Sequence, residues 1–156
     1  MDKGDKAPDF ELPDEDGVPR RLSELAASGP VVLFFYPAAM TYGCTKESCH
    51  FRDLAAEFEA VGGVRVGISM DTVDKQAAFG EKHHFDYPLL ADTDGSVAKA
   101  FGVKRRFDML RTKRATFVIG TDRRLLAKIS SETSMTKHAD AALEVLKERK
   151  AQSASS

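Results

Sequence analysis

The chain has 156 residues, the usual size of one globular domain. Its 42% apolar and 30% charged residues are the proportions of a folded protein and exclude a wholly disordered chain. With 23 Lys and Arg against 24 Asp and Glu, no net charge attracts a polyanion or an anionic lipid surface, so neither nucleic acid nor a membrane is an expected partner. The longest apolar run, Val31 to Met40, is about half as long as a membrane-spanning helix.

The two cysteines, Cys44 and Cys49, are the first candidates for chemistry. The first residues of the chain lack the apolar core and cleavage site of an export signal, so we expect a cytoplasmic, reducing location. There a cysteine serves catalysis, redox sensing or metal binding more readily than a permanent disulfide. A structural zinc site needs four ligands at short paired spacings, and Cys44, Cys49 and His50 do not supply them. We therefore expect no metal and no cofactor.

The first third of the sequence predicts an extended, turn-rich start followed by one buried strand. Residues 14–17 have the composition of a hairpin turn, and Ser23 fits the cap of a brief helix. The run from Val31 to Tyr36 is continuously β-branched or aromatic, which is typical of a strand buried on both faces of a sheet. Pro37 ends this strand.

Helices and strands alternate in the rest of the chain. The first helix starts near Cys44 and stops at Gly62, and a strand follows at 64–70. The next helix is capped by Asp71 or Thr72 and has Ala77 and Ala78 on its apolar side. An extended piece at 87–90, a helix ending near Phe101, strands at 115–119 and 125–130, and a last helix capped by Ser134 or Thr136 complete the order. This order is that of a thioredoxin-like fold, an α/β architecture whose central mixed sheet is flanked by helices. We expect one domain over residues 3–149 and a flexible tail at 150–156.

The segment between Tyr36 and Cys49 joins the carboxyl end of the buried strand to a helix. In open α/β sheets, ligands bind in the crevice at this end of the strands. A cysteine in the first helical turn faces unpaired backbone N–H groups and the positive end of the helix dipole, and both favour the reactive thiolate. Cys44 has this position and lies on no apolar helix face. Cys49 adjoins the face that includes Phe51, so burial in the core and a redox role both remain open for it.

The spacing Pro37-x-x-x-Thr41-x-x-Cys44 resembles the active-site motif of peroxiredoxins. The segment from Thr41 to Cys49, with the second cysteine five positions after the first, is similar to the bacterioferritin-comigratory, or peroxiredoxin Q, group. Four further segments resemble segments of the family and follow one another in the same order: residues 4–17, 69–79, 87–103 and 114–120. The resemblance therefore covers about residues 3–149. It implies a thioredoxin-like fold with the N-terminal extension of peroxiredoxins.

The resemblance also implies an activity and a set of site residues. The activity is the reduction of hydroperoxides, with Cys44 as the peroxidatic cysteine and Cys49 as the resolving cysteine that forms an intramolecular disulfide with it. The family's motif proline and threonine correspond to Pro37 and Thr41, and its strand-borne arginine corresponds to Arg114. The implied reductant is thioredoxin or a related dithiol protein, and the implied assembly is a monomer or a weak homodimer.

These residue types fit peroxide chemistry. A thiolate that attacks a peroxide drives negative charge onto the leaving oxygen, so hydrogen-bond donors near that oxygen lower the barrier. Suitable donors are the Thr41 hydroxyl, the backbone N–H groups near Gly43 and Cys44, and the Arg114 guanidinium. Pro37, which has no N–H, is expected to shield the sulfur from water. Plainer roles stay open: Thr41 as a helix cap, Pro37 as a strand end and Arg114 as one more residue of a basic segment.

Glu47 and the histidines are less specific. Glu47 lies three residues after Cys44 on the same helical face. The resemblance implies that Glu47 organises the arginine, whereas an acid that merely complements the helix dipole is the alternative. The histidines show no partner pattern and are expected to be solvated or plainly packed; they are His50, His83, His84 and His138.

The sequence departs from the peroxiredoxin Q group at two places, and two other functions stay open. Tyr42 stands where the group usually has proline, which bears on peroxide access, and the turn at 120–124 also differs from the group. A thiol–disulfide carrier is less well supported, because such carriers usually have C-x-x-C at the helix start. A non-enzymatic redox sensor is the third class. The basic segment 104–114 is expected to be a solvated loop, although docking of an acidic reductase or of nucleic acid would suit its charge.

Overall fold

The computed structural model describes residues 1–104, 112–131, 134 and 136–155, with side chains as far as Gln152. The strands are β1 (Glu11–Pro13), β2 (Pro19–Arg21), β3 (Val31–Phe35), β4 (Val64–Ser69), β5 (Leu89–Ala91), β6 (Ala115–Ile119) and β7 (Leu125–Ser130). The helices are α1 (Leu22–Ala27), α2 (Tyr42–Asp53), α3 (Ala55–Ala60), α4 (Val73–His83), α5 (Ser96–Ala100) and α6 (Lys137–Ser155). Within these described residues, no helix is both long and apolar enough to span a bilayer.

A mixed five-stranded sheet in the order β5-β4-β3-β6-β7 forms the centre. Strands β3, β4 and β5 are parallel, whereas β6 runs antiparallel to β3 and β7 antiparallel to β6. This arrangement confirms the predicted α/β architecture with a central mixed sheet. The register between β3 and β6 pairs Phe35 with Ala115, and it therefore brings the residue before β6 next to the carboxyl end of β3.

Every residue of β3 is buried, as its apolar run predicts. Alternate side chains enter two cores, because successive residues of a strand point to opposite faces. Leu33 packs with residues of α1 and α5 on one face. Phe34 packs on the other face with the aromatic side chains of α2, α3 and α4 and with the apolar face of α6. Helices α2 and α6 thus share one face of the sheet, which is the arrangement that builds the site described below.

The predicted N-terminal hairpin is confirmed: β1 and β2 pair in antiparallel register around the turn at 14–17. Asp14 is 1% exposed and stabilises this turn, because its carboxylate accepts hydrogen bonds from the backbone N–H groups of Asp16 and Val18 and from Arg20. The predicted cap Ser23 is wrong. Helix α1 already begins at Leu22, and the carboxylate of Asp9 accepts the Ser23 N–H at 2.9 Å and so satisfies the first turn from outside the helix.

Two helix predictions are corrected by polar side chains that a hydrophobic pattern does not reveal. The continuous helix expected after Cys44 is interrupted at Leu54 (φ −94°, ψ 20°), and the Arg65 guanidinium donates to the Phe51 carbonyl that this helix end leaves unpaired. On α4, Ala78 is exposed and Gln76 is buried instead. The Gln76 amide bridges the Tyr36 hydroxyl (2.6 Å) and the Leu90 carbonyl (2.8 Å).

The predicted tail at 150–156 and the basic segment 104–114 are only partly covered by the described residues. Helix α6 continues to Ser155, so the backbone of the expected tail is helical as far as that residue, and its flexibility stays a prediction. Most of the basic segment 104–114 lies outside the described residues, and its expected role as a solvated loop stays a prediction.

Candidate active site

Cys44 lies where the loop after β3 enters the first turn of α2, and its side chain is 1% exposed. Pro37 follows β3 and is partly buried, and Gly43 precedes Cys44 in the same helical turn. The predicted strand-to-helix junction is therefore present. It places the sulfur against the positive end of the helix dipole, which favours the thiolate.

A buried carboxylate holds the loop that leads to Cys44. Asp71 follows β4, is 1% exposed, and accepts the Ala39 N–H at 2.7 Å and the Ser69 hydroxyl at 2.7 Å. The sequence predicted Asp71 or Thr72 as the cap of α4. Thr72 is the cap, since its hydroxyl accepts the Lys75 N–H at 3.2 Å, whereas Asp71 ties β4 to the neighbouring loop.

The Thr41 hydroxyl does not cap α2. It donates to the Ala38 carbonyl at 2.7 Å, although Thr41 occupies the N-cap position with an extended backbone (φ −83°, ψ 155°). Met40, just before it, has a positive φ of 68°, which is uncommon for a residue other than glycine. The exposed Thr41 side chain is thus turned back onto the loop that leads to Cys44. Thr41 is the N-cap residue of α2, as the plainer alternative expects, but its side chain makes no capping hydrogen bond.

Arg114 bridges the cysteine and an acid. It lies just before β6, is 6% exposed, and donates from Nη2 to Cys44 Sγ at 3.3 Å and from Nη1 to Glu47 Oε1 at 3.0 Å. Burial opposes the charged form, but Glu47 and Cys44 outweigh it and raise the pKa of Arg114 above its ordinary value. The guanidinium is therefore a permanent cation at the sulfur. The alternative that Arg114 is only one residue of a basic loop does not describe this geometry.

Glu47 is fully buried on the face of α2 that carries Cys44. Its carboxylate pairs with Arg114, so the implied contact between this acid and the arginine is present. A surface acid that merely complements the helix dipole would be exposed, which Glu47 is not. Since Arg114 donates to both residues, the acid fixes the direction in which the guanidinium points.

His138 belongs to the same buried network, and its proximity to Glu47 was not predicted from the sequence. It is a packed histidine with 0% exposure, which fits the general expectation for such residues. Its Nε2 lies 3.7 Å from Glu47 Oε2, and its Nδ1 lies 2.9 Å from the Thr116 hydroxyl. One signal was available in the sequence: position 138 lies one turn before Ala142 on the apolar side of the last helix.

Cys49 lies in the same helix as Cys44, and both cysteines are free thiols. Five helical residues separate their Cα atoms by about 7.5 Å along the axis and by about 140° around it. A disulfide needs Cα atoms about 4.4–6.8 Å apart and converging side chains, so this helix cannot hold one. Cys49 is partly buried, and burial raises the pKa of its thiol despite the opposing effect of Arg52.

The second half of α2 has anchors of its own, in addition to the Arg114–Glu47 pair of the first half. Burial raises the pKa of Tyr87 well above its ordinary value, and its protonated hydroxyl donates to the Ser48 carbonyl at 2.7 Å. Phe51 is fully buried and stacks on Phe34 with ring centroids 4.1 Å apart. By contrast, Tyr42 at the start of the helix is 83% exposed.

The described part of the chain holds no group of three or more His, Cys, Asp or Glu residues arranged for a metal ion. What the site offers instead is a buried sulfur beside a permanent cation, at a helix N-terminus. These groups stabilise negative charge on the sulfur and on an oxygen that approaches it. The arrangement is suited to a thiolate nucleophile.

The model of the AhpC/TSA family matches residues 3–128. A putative peroxiredoxin of Mycobacterium tuberculosis is 62% identical over 94% of this chain and 97% of its own length. The peroxiredoxin Bcp of Bacillus subtilis is 37% identical over 93% of this chain and 94% of its own length.

Solved structures agree with these relatives. The crystal structure of the peroxidoxin BcpB of Mycobacterium tuberculosis superposes with a TM-score of 0.92, at 62% identity over 95% of this chain and 97% of that one. The bacterioferritin comigratory protein of Xanthomonas campestris, described by its alkyl peroxide reduction activity, superposes with a TM-score of 0.85 at 29% identity, over 95% of this chain and 99% of that one. The chain therefore belongs to the AhpC/TSA family and is a peroxiredoxin of the bacterioferritin-comigratory and peroxiredoxin Q group, a thiol-dependent peroxidase.

Proposed function

We propose that the protein reduces hydroperoxides by a two-cysteine cycle, in which Cys44 attacks the peroxide and Cys49 resolves the product. The observation that carries this proposal is the contact between Arg114 Nη2 and Cys44 Sγ at 3.3 Å, made by a guanidinium that Glu47 holds on its other nitrogen. This contact singles out Cys44. Among the described residues, no arginine donates a hydrogen bond to the Cys49 sulfur, and burial raises the pKa of its thiol.

In the first step, the Cys44 thiolate attacks one peroxide oxygen and the O–O bond breaks. The sulfur becomes a sulfenic acid, and the other oxygen leaves as an alkoxide or hydroxide that takes up a proton to become an alcohol or water. Donors aimed at this oxygen stabilise its developing charge. We assign this work to Arg114, the Thr41 hydroxyl and the backbone N–H groups at Gly43 and Cys44.

The Thr41 hydroxyl must change its partner for this work. In the absence of peroxide it donates to the Ala38 carbonyl, so its proton is already directed within the loop. A peroxide oxygen at Cys44 competes for that proton, and the exchange costs little because one hydrogen bond replaces another. Pro37, which offers no N–H to water, lines the same turn and is proposed to exclude solvent from the sulfur.

In the second step, the Cys49 thiolate attacks the Cys44 sulfenic acid, a disulfide forms and water leaves. The geometry of α2 forbids this bond while the helix is intact. The first half of the helix must therefore unwind, since the second half is held by the Tyr87–Ser48 contact and by the stacking of Phe51 on Phe34. Slow unwinding would leave the sulfenic acid open to further oxidation.

A dithiol protein of the thioredoxin type is proposed to reduce the disulfide, with the two electrons passing from its thiols to the Cys44–Cys49 bond. Both cysteines end as thiols, and the donor ends as a disulfide. A reducing, cytoplasmic compartment suits this cycle, although relatives from chloroplasts also match the chain. We propose a monomer or weak homodimer as the working form.

Organic hydroperoxides are proposed as substrates beside hydrogen peroxide. Met40 and Tyr42, which flank Thr41, are 42% and 83% exposed and present apolar surface at the loop that leads to Cys44. Exposed apolar side chains at a site favour an organic ligand. The Xanthomonas neighbour, described by its alkyl peroxide reduction activity, supports the same substrate class.

The roles of the two cysteines can be separated by single substitutions. We expect Cys44→Ser to abolish peroxide consumption, because the only activated sulfur is lost. Cys49→Ser should consume one equivalent of peroxide, form a sulfenic acid at Cys44 and then stop. Stopped-flow kinetics and mass spectrometry with a sulfenic-acid trap measure both results. If Cys49→Ser were inert to the first equivalent while Cys44→Ser reacted, the assignment would be reversed.

The Thr41 hydroxyl is tested by a matched pair of variants. We expect Thr41→Val to lower the second-order rate constant of Cys44 oxidation about 10²–10³-fold, the usual effect of removing one donor to a developing oxyanion. Thr41→Ser keeps the hydroxyl and should stay within about tenfold of the parent rate. A Thr41→Val protein that reacts as fast as Thr41→Ser would show that the hydroxyl only shapes the loop.

Unwinding of α2 is tested by amide hydrogen exchange. We expect the oxidised, disulfide-bonded protein to lose protection from residue 41 to about residue 49, while the sheet and the stretch around Phe51 remain protected. The reduced protein should protect the whole helix. Equal protection of residues 42–49 in both forms, together with a proven Cys44–Cys49 bond, would contradict the account.

The pH dependence of disulfide formation gives a second test of unwinding. Burial in the folded protein raises the pKa of Cys49. Disulfide formation from the intact helix would therefore accelerate only at pH values above the ordinary pKa of a thiol. When the sulfenic-acid form is mostly unwound before attack, the reaction should instead follow an ordinary thiol and reach half its maximal rate at about pH 8.5. We expect the second profile in single-turnover experiments. A midpoint clearly above it would show that Cys49 ionises while it is still packed in the helix.

A further inference from the structure

We propose that His138 is a positioning residue of the peroxide reaction, because its ring is held by Ser131 and Thr116 with Nε2 3.7 Å from Glu47 Oε2 and so packs against the acid that orients the guanidinium. The proposal rests on the function assigned above to Cys44. It extends the site to α6, whose residues the active-site motif does not include. Four side chains then form one buried chain of contacts, namely those of Cys44, Arg114, Glu47 and His138.

The contacts of the imidazole determine which nitrogen carries the proton. Nε2 lies 2.8 Å from the Ser131 carbonyl, which can only accept a hydrogen bond, so Nε2 is protonated. Nδ1 lies 2.9 Å from the Thr116 hydroxyl, which can either donate or accept. The orientation of the ring is therefore fixed by partners on both sides, whichever charge the ring carries.

The Nε2 edge of the ring also lies near the carboxylate, although its hydrogen is directed at Ser131. Nε2 lies 3.7 Å from Glu47 Oε2, which is longer than a hydrogen bond, yet both side chains are 0% exposed and no bulk water screens the interaction. Arg114 Nη1 lies 3.0 Å from the other oxygen, Oε1. The carboxylate is thus placed between the guanidinium and the edge of the imidazole.

Three structural elements converge on this contact. Arg114 and Thr116 lie two residues apart and therefore point to the same face of the sheet, where α2 and α6 both pack. His138 stands at the start of α6, directly before the apolar residue Ala139. An apolar side chain at position 138 would suffice for packing alone, and a buried imidazole is costly unless its nitrogens are paired. The hydrogen bonds to Ser131 and Thr116 thus hold the ring in the position where it packs against Glu47.

The test compares two substitutions that each keep one side of the imidazole. The amide of Gln in His138→Gln reaches the position of Nε2 and can donate towards Ser131 and Glu47. The amide of Asn in His138→Asn reaches the position of Nδ1 and keeps only the contact with Thr116. If His138 acts through Glu47, His138→Asn should lower the rate of Cys44 oxidation by hydrogen peroxide about tenfold, and His138→Gln should stay within about threefold.

A second reagent separates positioning from folding. Iodoacetamide also needs the Cys44 thiolate, but it transfers no charge to an oxygen that Arg114 must stabilise. We expect the ratio of the peroxide rate to the alkylation rate to fall in His138→Asn and to be kept in His138→Gln. The control is His84→Asn, at an exposed left-handed C-cap where asparagine is tolerated, and it should leave the ratio unchanged. Equal ratios in the Asn and Gln variants would overturn the proposal.

A double-mutant cycle with Glu47→Gln identifies the route of the effect. If His138 works through the carboxylate, His138→Asn should change the rate less than about twofold in the Glu47→Gln background. A full tenfold loss in that background would show that His138 acts independently of Glu47 and would overturn the proposal. A parent protein whose Cys44 reacts with peroxide no faster than a free thiol would overturn the proposed function and, with it, this role.

Discussion

One buried guanidinium is the interaction on which the active site depends. Arg114 donates to the sulfur of Cys44 and to the carboxylate of Glu47, and it does so at 6% exposure. A cation taken out of water to this extent is stable only beside compensating charge. The Glu47 carboxylate supplies that charge, and the thiolate form of Cys44 adds to it. The pairing therefore holds the arginine in place and favours the reactive form of the sulfur at the same time.

The fold supplies this pairing through strand register and helix packing. Antiparallel pairing of Phe35 with Ala115 brings Arg114 beside the end of β3, where the loop to α2 begins. The parallel neighbour β4 delivers Asp71 to the same end, and its carboxylate holds Ala39 of that loop. Helix α6 packs on the same face as α2 and brings His138 towards Glu47. The site is thus assembled from chain segments that are distant in sequence.

The same packing creates a conflict within the proposed catalytic cycle. Cys44 is shielded and polarised only while the first turns of α2 are intact, but the proposed bond to Cys49 requires those turns to open. The two halves of this helix are held differently: the Tyr87–Ser48 contact and the stacked Phe51 lie in the second half, whereas the first half carries the Arg114–Glu47 pair and the exposed Tyr42. Opening can therefore be local and leave the sheet undisturbed.

Local sequence was sufficient for the elements and for the reactive cysteine, but not for the residues that surround it. The apolar run of β3, the turn at Pro37 and the position of Cys44 at a helix start are readable from neighbouring residues, and the resemblance to peroxiredoxins pointed to Arg114. The contacts that Gln76, Asp71 and His138 make with Tyr36, Ala39 and Thr116 span 40, 32 and 22 residues of chain. A hydrophobic pattern treats such residues as surface or cap positions, and only the packed structure shows which polar groups pair inside the core.

The most direct test of this account is the rate of Cys44 oxidation in Arg114→Lys, compared with the parent and with a control at the exposed neighbour, Lys113→Met. Lysine keeps the positive charge but cannot donate from two fixed nitrogens to sulfur and carboxylate at once. Stopped-flow oxidation by hydrogen peroxide should show a loss of about 10²–10³-fold in Arg114→Lys and no loss in the control. An Arg114→Lys protein that reacts within about threefold of the parent would contradict the claim that the bridge between Cys44 and Glu47 makes the sulfur reactive.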